Sequence, residues 1–142
     1  MPMITIEIAG EADVALAQRV QETVTRLTAE ILHKDPGVTA VAVRFTPRRF
    51  WFVAGQATQE LSTSAFFVDT RISDGTNSKD EKAEYVARIF AALSGVLGGV
   101  HLESYVHVDD VRADAYGYGG LTQERRYIEK KAAPRAAGAR EP

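Results

Sequence analysis

Residues 66–72 read Phe-Phe-Val-Asp-Thr-Arg-Ile, and their alternation decides the fold. Phe66, Val68, Thr70 and Ile72 fall on one face of a strand, and Phe67, Asp69 and Arg71 on the other. Downstream, Asp74-Gly75-Thr76-Asn77 reads as a turn, and Ser78 with Glu81 forms a capping box that opens a helix. Val86, Ile89, Phe90, Leu93 and Leu97 follow at helical spacing until Gly98-Gly99 ends the helix. A strand over residues 102–109 sets Leu102, Ser104, Val106 and Val108 against Glu103, Tyr105, His107 and Asp109. An aromatic-glycine segment, Tyr116-Gly117-Tyr118-Gly119-Gly120, closes the series.

The upstream half repeats that order. In residues 3–8, Met-Ile-Thr-Ile-Glu-Ile, the isoleucines at 4, 6 and 8 share one face. Leu16, Val20, Val24, Leu27 and Ile31 form the apolar stripe of a helix within residues 11–34, which Asp35-Pro36-Gly37 stops. Val41, Val43 and Phe45 then alternate with Ala40, Ala42 and Arg44, and the aromatic-glycine segment Phe50-Trp51-Phe52-Val53-Ala54-Gly55 follows. Pseudo-repeats at residues 2–55 and 65–120 predict an α/β (α+β) domain of duplicated β-α-β units. With right-handed crossovers these give a four-stranded mixed sheet with two helices on one face. The opposite face carries Glu7, Arg44, Arg71, Tyr105 and His107, with Glu7 and Arg71 expected to pair across the sheet. So polar and aromatic a face predicts oligomerisation, with short strands near 50–55 and 115–119 pairing with a neighbour's sheet edge.

Composition bounds the function. At 142 residues and 45% hydrophobic content the chain sustains one core, placed here at residues 1–125, and disorder over most of the length is excluded. Seventeen basic against nineteen acidic residues offer no field for nucleic acid. Without cysteine there is no disulfide, thiolate metal site or cysteine nucleophile. No apolar run reaches membrane-spanning length, and Met-Pro-Met-Ile-Thr-Ile-Glu-Ile lacks the features of a secretory signal, so a cytoplasmic protein is expected. From Thr122 the pattern fades; residues 122–142 hold six basic and three acidic residues, and 126–142 read as a flexible, solvated tail. His33 reads as a helix-end residue and His101 as exposed. The three histidines have no ligand spacing, so neither a metal nor a cofactor is expected.

The residue with the most chemical content is Pro2. Proline is small enough for the preceding methionine to be removed, which leaves a rigid secondary amine at the N-terminus. Burial or nearby cations lower the pKa of such an amine below the α-amino range of about 7.7–8.0, giving a neutral general base near pH 7.

A Pro2 leading into a strand, the β-α-β duplication, Thr39-Ala40-Val41-Ala42-Val43-Arg44-Phe45-Thr46 before an aromatic-glycine strand, and Tyr116-Gly117-Tyr118-Gly119-Gly120 together resemble the tautomerase superfamily. Its members include 4-oxalocrotonate tautomerase, 5-(carboxymethyl)-2-hydroxymuconate isomerase and macrophage migration inhibitory factor. The resemblance spans residues 2–120 and, by length, points to the fused members that form trimers. It implies a cofactor-independent tautomerase acting on a small carboxylate or enol, with Pro2 as the base and Trp51 or Tyr116 as an aromatic wall beside it. The chain departs from the family where short members carry arginines: Ala12 and Thr76 stand at one such place, Ala42 and Tyr105 at another. Arg44, two residues beyond Ala42 on the same face, is the candidate replacement for gripping a carboxylate. Tyr105 or His107 is the candidate hydrogen-bond donor to the substrate carbonyl, and Arg71 a further substrate-binding candidate. Ser73 and Thr76 stand where the superfamily's dehalogenases place two arginines, which favours tautomerisation over hydration. Decarboxylation of a 3-oxo acid, hydration of an unsaturated acid, and a non-catalytic ferredoxin-like binding module are the alternatives.

Overall fold

A computed structural model describes residues 1–134. In chain order the elements are β1 (Met3–Ala9), α1 (Val14–Leu32), β2 (Ala40–Thr46), β3 (Phe52–Val53), β4 (Gln56–Ala57), β5 (Phe66–Ser73), α2 (Lys79–Leu97), β6 (Tyr105–Val111), β7 (Gly117–Tyr118), β8 (Leu121–Thr122) and α3 (Gln123–Ala132). The main sheet has the order β2-β1-β5-β6. Within each repeat the strands are parallel, and the two repeats meet through antiparallel β1 and β5, which align Met3 with Arg71 and Glu7 with Phe67.

Local chemistry sets the helix ends. Asp13 caps α1 by accepting from the Leu16 amide at 3.0 Å, and His33 ends it in the left-handed region at φ 58°. Ser78 and Glu81 cap α2 reciprocally, and Gly98 ends it at φ 73°. Both helices pack on one face of the sheet. There Ile4, Ile6, Ile8, Phe66 and Val68 meet Val20, Val24, Leu27, Ile89 and Leu93 in a water-free core. The alternation read at residues 66–72 holds throughout: Phe66, Val68, Thr70 and Ile72 have no or almost no exposure.

Three elements differ from the expectation. On α2 the stripe turns toward Tyr85, which is wholly buried, while Val86 is 38% exposed. A buried tyrosine needs partners for its hydroxyl, and Tyr85 has them in Thr28 and Thr70, each at 2.9 Å. The last strand of the sheet begins at Tyr105 rather than Leu102. The Ser104 hydroxyl donates to His101 O at 2.8 Å, holding residues 101–104 in a turn that leaves Leu102 outside. Thirdly, residues 123–132 are helical although they lack an apolar stripe. Thr122 caps this α3 by accepting from the Arg125 amide at 3.0 Å, and Arg126 ties it to Tyr118 O at 2.7 Å. The part of the expected tail at 135–142 lies outside the described residues.

The short strands form two hairpins, β3–β4 and β7–β8, one after each repeat. Glu7 and Arg71 do not pair. Their register places them four residues apart along the sheet, and Glu7 meets Arg44 at 3.7 Å instead.

Candidate functional site

The start of β1 lies between the start of β2 and the end of β5. The Ala40 amide donates to Pro2 O at 3.2 Å, and Met3 lies opposite Arg71. This end of the sheet would be open but for the β7–β8 hairpin, which folds over it. The hairpin turns through Gly119 and Gly120, both at positive φ (60° and 82°), the backbone of a tight hairpin turn that favours glycine at both places. Gly117 lets its strands close, since a Cβ there would stand 1.9 Å from Leu121 O. Downstream, the Gln123 amide donates to Tyr116 O at 2.8 Å and the Glu124 amide to Ala113 O at 3.1 Å, so α3 clamps the hairpin from behind.

Between hairpin and strand lies a cavity of about 490 Å³ lined by Met1, Pro2, Val38, Thr39, Tyr116, Tyr118 and Gln123. Pro2 is buried in its wall. The Tyr116 hydroxyl donates to Met1 O at 2.5 Å, with Arg71 O a longer acceptor at 3.2 Å. Gln123 Nε2 is buried and has no hydrogen-bond partner among the described residues. The α-amino group at Met1 is held below its usual pKa, first by burial and then by the positive charge of Lys34. Burial also pushes the Tyr116 phenol up, an effect opposed by the Met3 amide and the nearby Arg71, so Tyr116 stays protonated across the neutral range.

The sequence candidates therefore separate within one chain. Pro2 and Tyr116 share the cavity, and Arg71 joins them through its carbonyl. The Arg71 guanidinium faces the open side of the sheet, 3.6 Å from Asp69 and 3.9 Å from Asp109. Arg44 lies four residues along β2 from the cavity, roughly 13 Å at strand spacing, beside Glu7. His107 Nδ1 is 3.4 Å from Asp69 Oδ1 on that same open face. Trp51 and Tyr105 line a different depression of about 670 Å³, with Phe67, His101 and Glu103. It occupies the place in the second repeat that the Pro2 cavity occupies in the first, with Ala65 and Phe66 entering β5 where Pro2 enters β1. Tyr105 donates to Glu103 at 2.7 Å, and that bond raises its pKa.

Thr39 and Tyr118, read in the sequence only as parts of motifs, and Gln123, not read at all, are further cavity residues. Thr122 could be read as the N-cap of a helix, but nothing local marks Gln123 as a cavity residue, since its place there comes from the fold of the hairpin over β1. Among the described residues, no group of three His, Asp or Glu side chains is placed to hold a metal ion, and no helix is long and apolar enough to cross a membrane.

Solved structures of similar shape include a wild-type fused 4-OT that is a symmetric trimer, at 14% identity and TM-score 0.76, covering 87% of this chain and 98% of that one. Pt0534 inactivated by 2-oxo-3-pentynoate is similar at 15% identity and TM-score 0.75, over 86% of this chain and 96% of that one. Macrophage migration inhibitory factor of Toxoplasma gondii is similar at 18% identity and TM-score 0.69, over 84% and 98%. No family model matches the sequence, and no curated protein does.

Proposed function

We propose that this chain, which has the tautomerase-superfamily fold in its fused two-unit form, catalyses keto–enol proton transfer on a small enol or 2-keto acid. With Met1 attached, the Pro2 nitrogen is an amide and has no basicity. Once Met1 is removed, that nitrogen is a secondary amine in the wall of the cavity. The observation that carries the reading is the burial of Pro2 there, beside the Tyr116 ring. Pro2 is buried in that wall, and burial disfavours the charged form of an amine, which favours a neutral base there.

The neutral amine takes the hydroxyl proton of an enol and returns it to the neighbouring carbon. The oxygen then carries a carbonyl, the proton has moved, and no electrons leave the substrate. The Tyr116 and Tyr118 rings exclude water and so keep the amine neutral. Arg44, Tyr105 and His107 lie away from this cavity within one chain, so a role for them at Pro2 needs a neighbouring copy. The similar fused 4-OT is a symmetric trimer, and the polar and aromatic open face of this sheet supports a homotrimer here too. The similar Pt0534 was inactivated by 2-oxo-3-pentynoate, which supports a small 2-keto acid as the kind of molecule the cavity takes.

The test is ketonisation of 2-hydroxymuconate and of phenylpyruvate enol, followed by ultraviolet absorbance, on protein whose Met1 removal is confirmed by intact mass. Pro2→Ala should lose on the order of 10²-fold or more in rate, the range of general base catalysis. Equal rates for the two proteins would overturn the reading.

A further inference from the structure

Removal of Met1 leaves the Tyr116 hydroxyl without its principal acceptor. The carbonyl oxygen of Met1 and the nitrogen of Pro2 sit on the same carbon, roughly 2.3 Å apart by standard peptide dimensions. Tyr116 donates to that oxygen at 2.5 Å, so its hydroxyl lies within about 5 Å of the Pro2 nitrogen. The Met1 carbonyl thus stands in for an oxygen of whatever molecule comes to rest against the freed amine. Three observations fix the donor there. The Tyr116 backbone is tied to α3 through the Gln123 amide at 2.8 Å. Its other acceptor, Arg71 O, belongs to the strand that pairs with β1. In the same wall the buried Gln123 carboxamide nitrogen also has no acceptor among the described residues.

Resting on Pro2 as the base, we infer that the Tyr116 hydroxyl is a catalytic hydrogen-bond donor, binding the substrate oxygen on which negative charge develops as the proton moves. The role considered for Tyr105 or His107 falls instead to a residue of the same chain as the amine. As Pro2 takes the enol proton, electron density gathers on the oxygen and Tyr116 shortens its bond to it. As the proton passes from the amine to carbon, the density returns to the new C–H bond and the C=O. Tyr116 keeps its own proton throughout. A phenol preset by the hairpin needs no reorganisation at that moment, which is what makes such donors effective.

The experiment uses Met1-free protein and 2-oxo-3-pentynoate as the probe, with labelling followed by intact mass and peptide mapping. The Pro2 amine adds to the alkyne: an N–C bond forms, one C≡C π bond breaks, charge passes to the ketone oxygen, and the amine proton ends on carbon. Tyr116→Phe keeps the ring and removes only the donor. We expect it to slow labelling of Pro2, and kcat for enol ketonisation, by on the order of 10²-fold, with KM little changed and the acid limb of the pH profile in place. Labelling of the variant at the wild-type rate overturns the donor role while leaving Pro2 as the base. A rate loss that disappears at high pH also overturns it, because Tyr116 would then act only by keeping the amine neutral. Wild-type protein that is not labelled at Pro2 overturns the base reading, and the donor role with it. Thermal denaturation of the variant near the wild-type midpoint shows that the ring still packs.

Discussion

Gly117 pairs with Thr122 across the β7–β8 hairpin and lies so close to the neighbouring Leu121 that a Cβ on Gly117 would stand 1.9 Å from the Leu121 carbonyl oxygen. The obstacle is backbone, not a side chain that could swing away. Gly117→Ala therefore forces the hairpin apart next to Tyr116. A displacement near 1 Å of a reacting group's neighbour costs on the order of 10²-fold in rate. We expect a loss of about that size in ketonisation. The core of the sheet lies elsewhere, so far-ultraviolet circular dichroism should be unchanged. Full activity in Gly117→Ala would mean that the hairpin does not position the site.

The base requires a neutral amine, which fixes the direction of the pH profile. Burial disfavours the charged form of an amine, so the active form is present above the pKa of the Pro2 amine and is lost as pH falls through it. kcat/KM should rise with pH to a plateau reached below about 8, the ordinary α-amino range. Val38 lines the same cavity. Val38→Asp brings a carboxylate toward the amine, favours its protonated form, and should move the acid limb to higher pH by about 1 unit or more. A limb that stays in place would show that the titrating group is not at Pro2.

Much of this was legible in the sequence, and where it failed the causes are physical. Period-two alternation at 3–8 and 66–72 survives because each strand has one face on a dry core. A one-residue slip would expose the whole of that face. The cap at Ser78 and the stop at Gly98 were readable because both act within a turn of chain. Tyr85 was not, since its burial depends on hydroxyls of Thr28 and Thr70 brought from other elements. Helix α3 carried no apolar stripe, and its hold on Tyr118 through Arg126 is a tertiary contact. Candidates chosen for a shared sheet face, such as Arg44 and His107, share that face without sharing a cavity. Alternation gives the side of a sheet but not the position along it.

Tyr85 links both helices to the sheet. Thr28 donates to Val24 O at 2.7 Å, so Thr28 accepts from Tyr85, and Thr70 donates to Tyr85 in turn. Tyr85→Phe strands the Thr70 hydroxyl in the core and should cost about 1–3 kcal/mol by denaturant unfolding. Adding Thr70→Val removes the orphan and should recover part of the loss. Burial raises the Tyr85 pKa, so its contribution is fully present below the unfolded value of about 10 and is lost as pH rises toward the folded value. That alkaline loss should shrink in Tyr85→Phe. Equal alkaline slopes in the two proteins would place the titration on another tyrosine.

On the open face of the sheet, Phe67 is 36% exposed and lies between Glu7 and the exposed Tyr105, with Met3 exposed further along the same face. An apolar group so placed, beside a carboxylate and off the core, suits contact with other copies of the chain. Phe67→Glu would set a second carboxylate opposite Glu7 and desolvate both in any such contact, while one copy alone tolerates it in water. We expect the wild type to run as a trimer in light scattering coupled to size exclusion, and Phe67→Glu as a monomer of unchanged helical content. Because Pro2 and Tyr116 belong to one chain, the monomer should still be labelled at Pro2 by 2-oxo-3-pentynoate. Loss of labelling in a folded monomer would mean that a neighbouring copy completes the cavity. Arg44, Tyr105 and His107 would then be the first residues to substitute.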